Sequence, residues 1–231
     1  ILKGVNLTLN KGEDLVVLGR SGSGKSVTIK CIVGLIEPDK GEIKVFDENV
    51  LNISKSELNA IRVRIGFLFQ SGALYDSMSV RENLAFTLTK HKRDLNADEI
   101  ENEVMEALEN VGLADAIDKM PSELSGGMRK RIGLARTLIL KPEIILYDEP
   151  TTGLHFHDIK KLLKAINALV EQGDSVIIIE HNMEVIKSAD YIIDLGPEGG
   201  NQGGYITFTG TPEDMVKEGN SFTATFLKEK L

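Results

Sequence analysis

The sequence predicts an α/β fold in which helices cover both faces of a mainly parallel sheet. Apolar runs of strand length alternate along the chain with amphipathic helical patterns, which is the order that such a sheet requires. The clearest strands are continuous in β-branched and leucine residues, as strands buried on both faces are: Asp14 to Gly19, Glu143 to Asp148 and Ser175 to Glu180.

Two of the helices between these strands have well-defined patterns. Apolar residues recur at helical spacing from Ala97 to Val111, and Asn96 and Glu99 stand where a capping box places them, at the start of that helix. A second amphipathic stripe predicts a helix from Asp158 to Glu171. Near the end of the chain, the glycine-rich stretch from Gly196 to Gly204 predicts a turn between two further strands.

The composition suits one domain and narrows the classes of function. A chain of 231 residues, of which 42% are hydrophobic, can bury one α/β core. The net charge of −8 does not favour extended contact with nucleic-acid phosphate. The lone Cys31 supplies neither a disulfide framework nor a zinc module, and it fits a reducing compartment. No apolar run reaches the roughly 20 residues of a membrane helix, and no signal-peptide pattern is present, so a membrane role would require a partner.

The strongest chemical signal follows the first predicted strand and opens a helix. Residues 19–26 read GRSGSGKS and match the P-loop pattern G-x-x-x-x-G-K-[ST] in full. Glycines let backbone N–H groups face phosphate oxygens, Lys25 reaches the β- and γ-phosphates, and the Ser26 hydroxyl binds Mg²⁺. A turn that binds no ligand has no need of a lysine and a serine at the positions of Lys25 and Ser26. The motif therefore predicts an ATP and Mg²⁺ site in a three-layer P-loop fold, formed by Gly19, Arg20, Ser21, Gly22, Ser23, Gly24, Lys25 and Ser26.

A second element ends the predicted strand Glu143 to Asp148 with two adjacent acids. Asp148 can hold the magnesium ion, and Glu149 is placed to polarise an attacking water as a general base. Two acids after an isolated strand would fit a solvated loop equally well. The P-loop upstream favours the catalytic interpretation.

A third element, Leu124 to Met128, reads LSGGM and precedes three basic residues. Alone, it indicates a capped helix with a solvated face. Together with the two elements above, it resembles the signature loop of ATP-binding-cassette (ABC) proteins, in which Gln is usual at the position of Met128. In that family the loop of one subunit closes over the γ-phosphate held by the P-loop of the other. The resemblance implies a head-to-tail homodimer with a signature loop formed by Ser125, Gly126, Gly127 and Met128.

The same resemblance gives roles to two single polar residues that follow strand-like runs. Gln70 resembles the family's Q-loop glutamine, which binds magnesium or water and is coupled to the partner. His181 resembles the switch histidine, which contacts the γ-phosphate. Without the resemblance, either residue would be interpreted as a satisfied polar side chain. The implied sets are Glu149, His181 and Gln70 for catalysis, and Ser26, Gln70 and Asp148 for Mg²⁺.

Two parts of the chain resemble different branches of the superfamily. Residues 1–154 resemble transporter ATPases of the Mla-type phospholipid-transport branch, in GRSGSGKS, FLFQSGALYDSMSVRENLAF and LSGGMRKRIGLARTL. Residues 148–231 resemble the C-terminal end of the UvrA excision-repair ATPase, in DEPTTGLHFHDI and VIIIEHNMEVIKSADYIIDLGPEGG. Both families use DEPTTGL, so a junction within residues 148–155 would leave no trace. We interpret the chain as a chimera, either engineered or natural.

The transporter resemblance implies a single ABC ATPase domain over residues 1–231, with a helical subdomain at about Leu74 to Arg136. A groove near Gln70 to Phe86 would meet a membrane permease, which would place the chain on the cytoplasmic face of the inner membrane. One alternative is a DNA-repair ATPase module, which should carry zinc modules and large insertions between the P-loop and the signature. Another is an engineered scaffold that binds ATP without a transport task.

Three departures from the transporter pattern bear on mechanism. His155 follows Gly153 and Leu154, where that family has an Asp at the contact between subunits. The aromatic residue that stacks on adenine in the family has no counterpart in this sequence, which would weaken binding by roughly 1 to 3 kcal/mol. Met128 agrees with the Mla-type branch. We therefore expect a folded chain that binds MgATP, dimerises weakly and hydrolyses ATP more slowly than a transporter subunit.

Overall fold

Strands and helices alternate along most of the chain in the computed structural model, which describes residues 1–68, 72–218 and 222–229. The strands are β1 (Asp14–Gly19), β2 (Lys44–Val45), β3 (Glu48–Asn49), β4 (Ile65–Leu68), β5 (Ile144–Asp148), β6 (Ser175–Ile179), β7 (Tyr191–Gly196) and β8 (Tyr205–Gly210). The helices are α1 (Lys25–Ile32), α2 (Lys55–Val63), α3 (Val80–His91), α4 (Ala97–Asn110), α5 (Gly126–Leu138), α6 (Phe156–Glu171), α7 (Met183–Ile186), α8 (Pro212–Glu218) and α9 (Phe222–Lys228). This alternation confirms the predicted α/β class.

The chain divides into two compact units, and the first comprises Ile1–Arg62 and Leu163–Leu231. Its strands lie in the order β6, β1, β7, β8, with β1 parallel to both neighbours and β8 antiparallel to β7. Val16 of β1 lies opposite Ile178 of β6 and Ile192 of β7, and these side chains are fully buried. β1 is hydrogen-bonded to a neighbouring strand along each edge. Its C-terminal end is therefore held in place, and so is the start of the segment that follows.

The second unit comprises Val63–Leu162. Here β4 pairs in parallel with β5, and Phe67 lies opposite Leu146. Helices α3, α4 and α5 pack around a common apolar core, which fixes where α5 begins. The buried core residues are Val80, Leu84, Leu88, Val104, Leu108, Leu113, Ala116, Ile117, Leu124, Ile132, Ala135 and Ile139.

Local chemistry sets several element boundaries. The predicted capping box is confirmed, since Asn96 Oδ1 accepts the N–H of Glu99 (3.0 Å) and Glu99 Oε2 accepts the N–H of Asn96 (2.8 Å). β5 begins at Ile144, one residue later than predicted, and Glu143 just before it bonds to Arg64 through both its N–H and its carboxylate. Helix α6 begins at Phe156, before the predicted Asp158, because the N–H of Asp158 already bonds to the carbonyl of His155 (2.9 Å). None of the helices within the described ranges is long and apolar enough to span a membrane.

Candidate nucleotide-binding site

The P-loop forms the turn between β1 and α1, as the motif predicts. Gly19, Gly22 and Gly24 have φ angles of 135°, 79° and 108°, which residues with a Cβ rarely adopt. Space is a second constraint at Gly19, where a Cβ would lie 2.2 Å from the carbonyl oxygen of Leu195 and 2.5 Å from Ser23 Oγ. Both the backbone conformation and the packing of this turn therefore require glycine.

Lys25 is buried within the turn, with 6% of its surface exposed. Its Nζ donates hydrogen bonds to the carbonyl oxygens of Gly19 (2.6 Å) and Arg20 (3.1 Å). Its charge also acts on Asp194, which lies opposite Leu18 in the register of β7 with β1. Burial raises the pKa of the Asp194 carboxyl, and the positive charge of Lys25 opposes that rise. A phosphate would offer Lys25 a charged acceptor in place of two neutral carbonyls.

Two further features of the turn suit a phosphate group. Ser23 is fully buried, and its Oγ has no hydrogen-bond partner among the residues described by the structure. A buried hydroxyl without a partner is costly and indicates a place for an additional acceptor or donor. Helix α1 has Gly24 as its N-cap and no acid in its first turn. The dipole of the helix therefore favours an anion at this end, and no acidic side chain of the first turn opposes it.

His181 follows β6 in the same unit and stands on a backbone fixed by its neighbour. The carboxylate of Glu180, 3% exposed, accepts the N–H groups of His181 (2.8 Å) and Asn182 (3.1 Å). Asn182 then caps α7 by accepting the N–H of Glu184 (2.9 Å). The His181 residue is exposed. Glu180 is not among the predicted site residues. The sequence feature that could have indicated it is its place as an acid at the end of an apolar strand.

Asp148 and Glu149 lie at the end of β5, in the second unit. Glu149 has a φ of 50°, a left-handed conformation that costs a non-glycine residue about 1 to 3 kcal/mol and is concentrated at functional sites. Thr152 holds this turn, since its Oγ1 donates to Glu149 Oε2 (3.3 Å) and its N–H to the Glu149 carbonyl (3.3 Å). The strain and the Thr152 contact together give the Glu149 carboxylate a defined position.

The signature loop opens α5. Ser125 is its N-cap, and its Oγ accepts the N–H of Met128 (3.3 Å). A Cβ at Gly126 would have no heavy atom of the described chain within 4 Å, whereas a Cβ at Gly127 would lie 3.4 Å from Asp158 Oδ2. Within the described residues, Gly126 therefore has space for a side chain, whereas Gly19 of the P-loop does not.

The basic residues after the signature loop, of which Arg129 is exposed and Lys130 and Arg131 are half-buried, also contact the backbone. Their side chains donate to backbone carbonyl oxygens of the same unit, which ties the first turns of α5 in place. The contacts join Arg129 to Pro121 and Leu124, Lys130 to Pro150 and Thr152, and Arg131 to Val111.

An exposed aromatic pair lies in the segment for which a permease groove is expected. The rings of Tyr75 and Phe86 meet edge to face at 5.6 Å between centroids, although 49% and 39% of these residues is exposed. Asn83, fully buried, holds the preceding loop: its Oδ1 accepts the Tyr75 N–H (2.8 Å), and its amide donates to the carbonyls of Tyr75, Met78 and Ser79. The pair is thus presented on an ordered loop.

The predicted site residues are distributed over both units. The P-loop and His181 belong to the first unit, and Asp148, Glu149 and the signature loop belong to the second. His155, exposed, precedes α6 in the second unit and accepts from the N–H of Asp158 through its carbonyl. Gln70 lies outside the described residues.

Comparison with known proteins agrees with these motifs. The family model described as ABC transporter matches residues 2–152. The mkl protein of Mycobacterium bovis, a probable ribonucleotide transport ATP-binding protein, is 42% identical over 81% of this chain and 52% of its own length. UvrABC system protein A of Agrobacterium fabrum is 53% identical over 55% of this chain and 14% of its own length. The chain thus spans about half of the first relative and a small part of the second.

Solved structures give the same result for the fold. A dimeric ATP-binding cassette in a post-hydrolysis state, bound to ADP and phosphate, superposes with a TM-score of 0.83 at 30% identity, covering 91% of this chain and 90% of that one. A subunit of the cbiONQ ABC transporter complex of Clostridium perfringens gives 0.81 at 26% identity, covering 99% and 91%. The fold and the P-loop define an ATP hydrolase of the cassette type. The chain belongs to the ABC transporter family.

Proposed function

We propose that the chain binds MgATP at its P-loop and hydrolyses it at the interface of a head-to-tail homodimer that energises a membrane transporter. The observation that carries the proposal is the P-loop itself. It combines a buried lysine, a buried Ser23 hydroxyl with no hydrogen-bond partner among the described residues, and a helix N-terminus capped by glycine without an acid in its first turn. A triphosphate would offer charged oxygen acceptors to the lysine, the hydroxyl and the helix N-terminus.

Residue roles follow from chemistry and place in the fold. Lys25 and the backbone N–H groups of residues 19–26 would neutralise the β- and γ-phosphates. Ser26, Asp148 and Gln70 would hold Mg²⁺, which when bound neutralises charge on the phosphate oxygens. Glu149 would take the proton of the attacking water. His181, whose backbone is fixed by Glu180, would contact the γ-phosphate.

The dimer is supported by the contrast between the P-loop, enclosed at Gly19, and the signature loop, where a Cβ at Gly126 would meet no heavy atom of the described residues within 4 Å. The cassette solved with ADP and phosphate is a dimer, and the cbiONQ relative is part of a transporter complex. We extend both properties to this chain, with the aromatic pair Tyr75 and Phe86 as the contact for a permease. The chain would then act on the cytoplasmic face of the membrane as one ABC domain, with the helical subdomain at residues 74–136.

The two resemblances support a hybrid origin without marking one junction. The match to the mkl protein covers 81% of the chain, so it continues beyond residue 154, and a match to UvrABC system protein A of Brucella abortus covers 68%, so it begins before residue 148. Each relative thus shares the central motifs. We keep a junction within residues 148–155 as part of the proposal.

Turnover at rising protein concentration tests the proposed function. MgATP hydrolysis that needs residues from two subunits gives a specific activity that increases with concentration until the dimer saturates. A specific activity that is constant over a hundredfold dilution would contradict the shared site. The absence of any MgATP turnover, with nucleotide still bound, would leave an ATP-binding scaffold.

A DNA-repair module is the second candidate, because the match to UvrABC system protein A is 53% identical where it exists. ATPase activity stimulated by damaged duplex DNA, and not by phospholipid vesicles carrying a permease, would favour it over transport. Equal activity with and without damaged DNA would remove it.

A further inference from the structure

The P-loop is covered by a second glycine-rich segment that no motif assigns to the nucleotide site. Residues 198–203, here named the clamp loop, follow β7 and precede β8. The carboxylate of Glu198 forms an ion pair with the guanidinium of Arg20. Gly199 then lies against Ser21, because a Cβ there would be 2.4 Å from the Ser21 carbonyl oxygen.

The contacts continue in the same order along both segments. The N–H of Gly200 donates to the carbonyl oxygen of Gly22 (3.0 Å), and a Cβ at Gly203 would lie 3.3 Å from Ser23 Cα. Successive residues of the clamp loop thus meet successive residues of the P-loop. An approach of two backbones at this distance is possible only without side chains at the contact.

These contacts restrict the part of the P-loop that determines its shape. The P-loop closes its own turn through the N–H of Ser23 and the carbonyl of Arg20 (3.1 Å). The clamp loop engages the residues on either side of that turn's centre, since Glu198 bonds to Arg20 and Gly200 to Gly22. A loop that is held in one conformation before a ligand arrives loses less entropy when it binds.

Gly199 and Gly200 make it possible to distinguish a steric contact with the P-loop from a backbone conformation that requires glycine. Gly199 has a φ of −92°, which alanine adopts without strain, so among the described residues the obstacle to a Cβ is the Ser21 carbonyl. Gly200 has the reverse properties: its φ is 63°, and a Cβ there would meet no heavy atom of the described residues within 4 Å. Replacing glycine with alanine therefore tests steric contact at residue 199 and backbone strain at residue 200.

We infer that the clamp loop holds the P-loop in its nucleotide-binding conformation and so sets the affinity for MgATP, with Glu198 as a positioning residue that acts through Arg20. The inference rests on the proposed role of the P-loop and adds a segment that belongs to neither the P-loop nor the signature. It assigns a binding function to the turn that sequence analysis described only as a connection between strands.

The first test compares Gly199→Ala with Gly200→Ala by calorimetric titration with MgATP, after circular dichroism shows that each variant is folded. Gly199→Ala should weaken binding by about tenfold or more, because the P-loop must shift away from the new Cβ. Gly200→Ala should stay within about threefold of the wild type and lose thermal stability instead. Equal affinities in both variants, or equal losses, would overturn the clamp.

A second test uses exposed side chains and does not depend on the tolerance of the loop for a Cβ. Glu198→Arg places two guanidinium groups together and should weaken MgATP binding by about two- to fivefold, the scale of an exposed ion pair. Glu198→Gln removes the charge and keeps the length of the side chain, so it should weaken binding less than Glu198→Arg does. Affinities that are equal in the wild type, Glu198→Gln and Glu198→Arg would contradict the positioning role.

A Lys25→Ala variant in the same titration separates the two proposals. Binding that is lost in Lys25→Ala and unchanged in Gly199→Ala and Glu198→Arg would overturn the clamp and keep the nucleotide site. A wild-type chain that does not bind MgATP would overturn both.

Discussion

The P-loop and the signature loop are both glycine-serine turns that open a helix, yet their surroundings are opposite. A Cβ at Gly19 would lie 2.2 Å from a backbone oxygen, whereas a Cβ at Gly126 would have nothing of the described chain within 4 Å. Ser23 of the first loop is fully buried, and Ser125 of the second is exposed. Among the described residues, the P-loop is thus enclosed at Gly19, whereas the signature loop is unenclosed at Gly126.

The largest effect is expected from the enclosed loop. Lys25→Ala should abolish detectable MgATP binding, because it removes the one lysine charge from a site built mainly of backbone donors. Isothermal titration calorimetry measures the loss. Lys30→Ala, which removes an exposed lysine at the end of α1, is the matched control and should bind as the wild type does. Unchanged affinity in Lys25→Ala would remove Lys25 from its role.

The next effect tests whether the unenclosed loop meets a second copy of the chain. Glu149→Gln should slow ATP hydrolysis by roughly 10² to 10⁴-fold, the usual contribution of a general base, while MgATP binding is kept. Because ATP then persists, the dimer should accumulate and appear in size-exclusion chromatography with MgATP. Glu171→Gln, at the exposed end of α6, is the control. If only monomer elutes for Glu149→Gln, the shared-interface model fails for this chain.

A third pair of variants compares the two loops directly. Gly19→Ala should lower the free energy of unfolding by about 3 kcal/mol, because the new Cβ meets backbone and the φ is unfavourable. Gly126→Ala should change it by less than about 1 kcal/mol and lower ATP turnover, since only the partner's approach is obstructed. Chemical denaturation and turnover are measured for both. Similar stability losses would show that the loops are enclosed alike.

The smallest effect is expected at His155, where the chain departs from the transporter pattern. His155→Asp restores the residue that the transporter family uses where subunits touch, and it should raise ATP turnover a few-fold. The measurement is specific activity at a protein concentration below dimer saturation. Turnover that is unchanged or lower would show that the segment after Gly153 is not the limiting defect.

Local patterns predicted much of the fold because their physical cause is local. The bounds of β1 follow from a continuous apolar run that ends at the P-loop glycine, and the start of α4 follows from the Asn96 and Glu99 capping box. β5 starts one residue after the predicted start, and Glu143, just before it, contacts Arg64, a residue far away in the sequence. No periodicity within the strand could have indicated that contact.

The candidate site also combines features that the local sequence predicts with features that it does not. The residue types and spacing of the P-loop predict a phosphate-binding turn between β1 and α1, and the structure has that turn, with positive φ angles at Gly19, Gly22 and Gly24. The contact of the Glu180 carboxylate with the next two N–H groups is local, but no residue pattern distinguishes it from a solvated acid at the end of a strand. The ion pair between Glu198 and Arg20 could not be predicted because it depends on β7 lying beside β1. Gln70, the residue that the family resemblance couples to the partner, lies outside the described residues.

The four hydrogen bonds of Asn83 have a consequence for the thermodynamics of association. They order the loop from Tyr75 to Ser79 before any partner arrives, so a surface that binds the exposed aromatic pair does not have to immobilise the loop. Ordering flexible interface residues costs about 0.5 to 1.5 kcal/mol per side chain. Without Asn83 the same contact would form with a larger entropic penalty and a slower encounter, since only a fraction of molecules would present Tyr75 in the competent orientation.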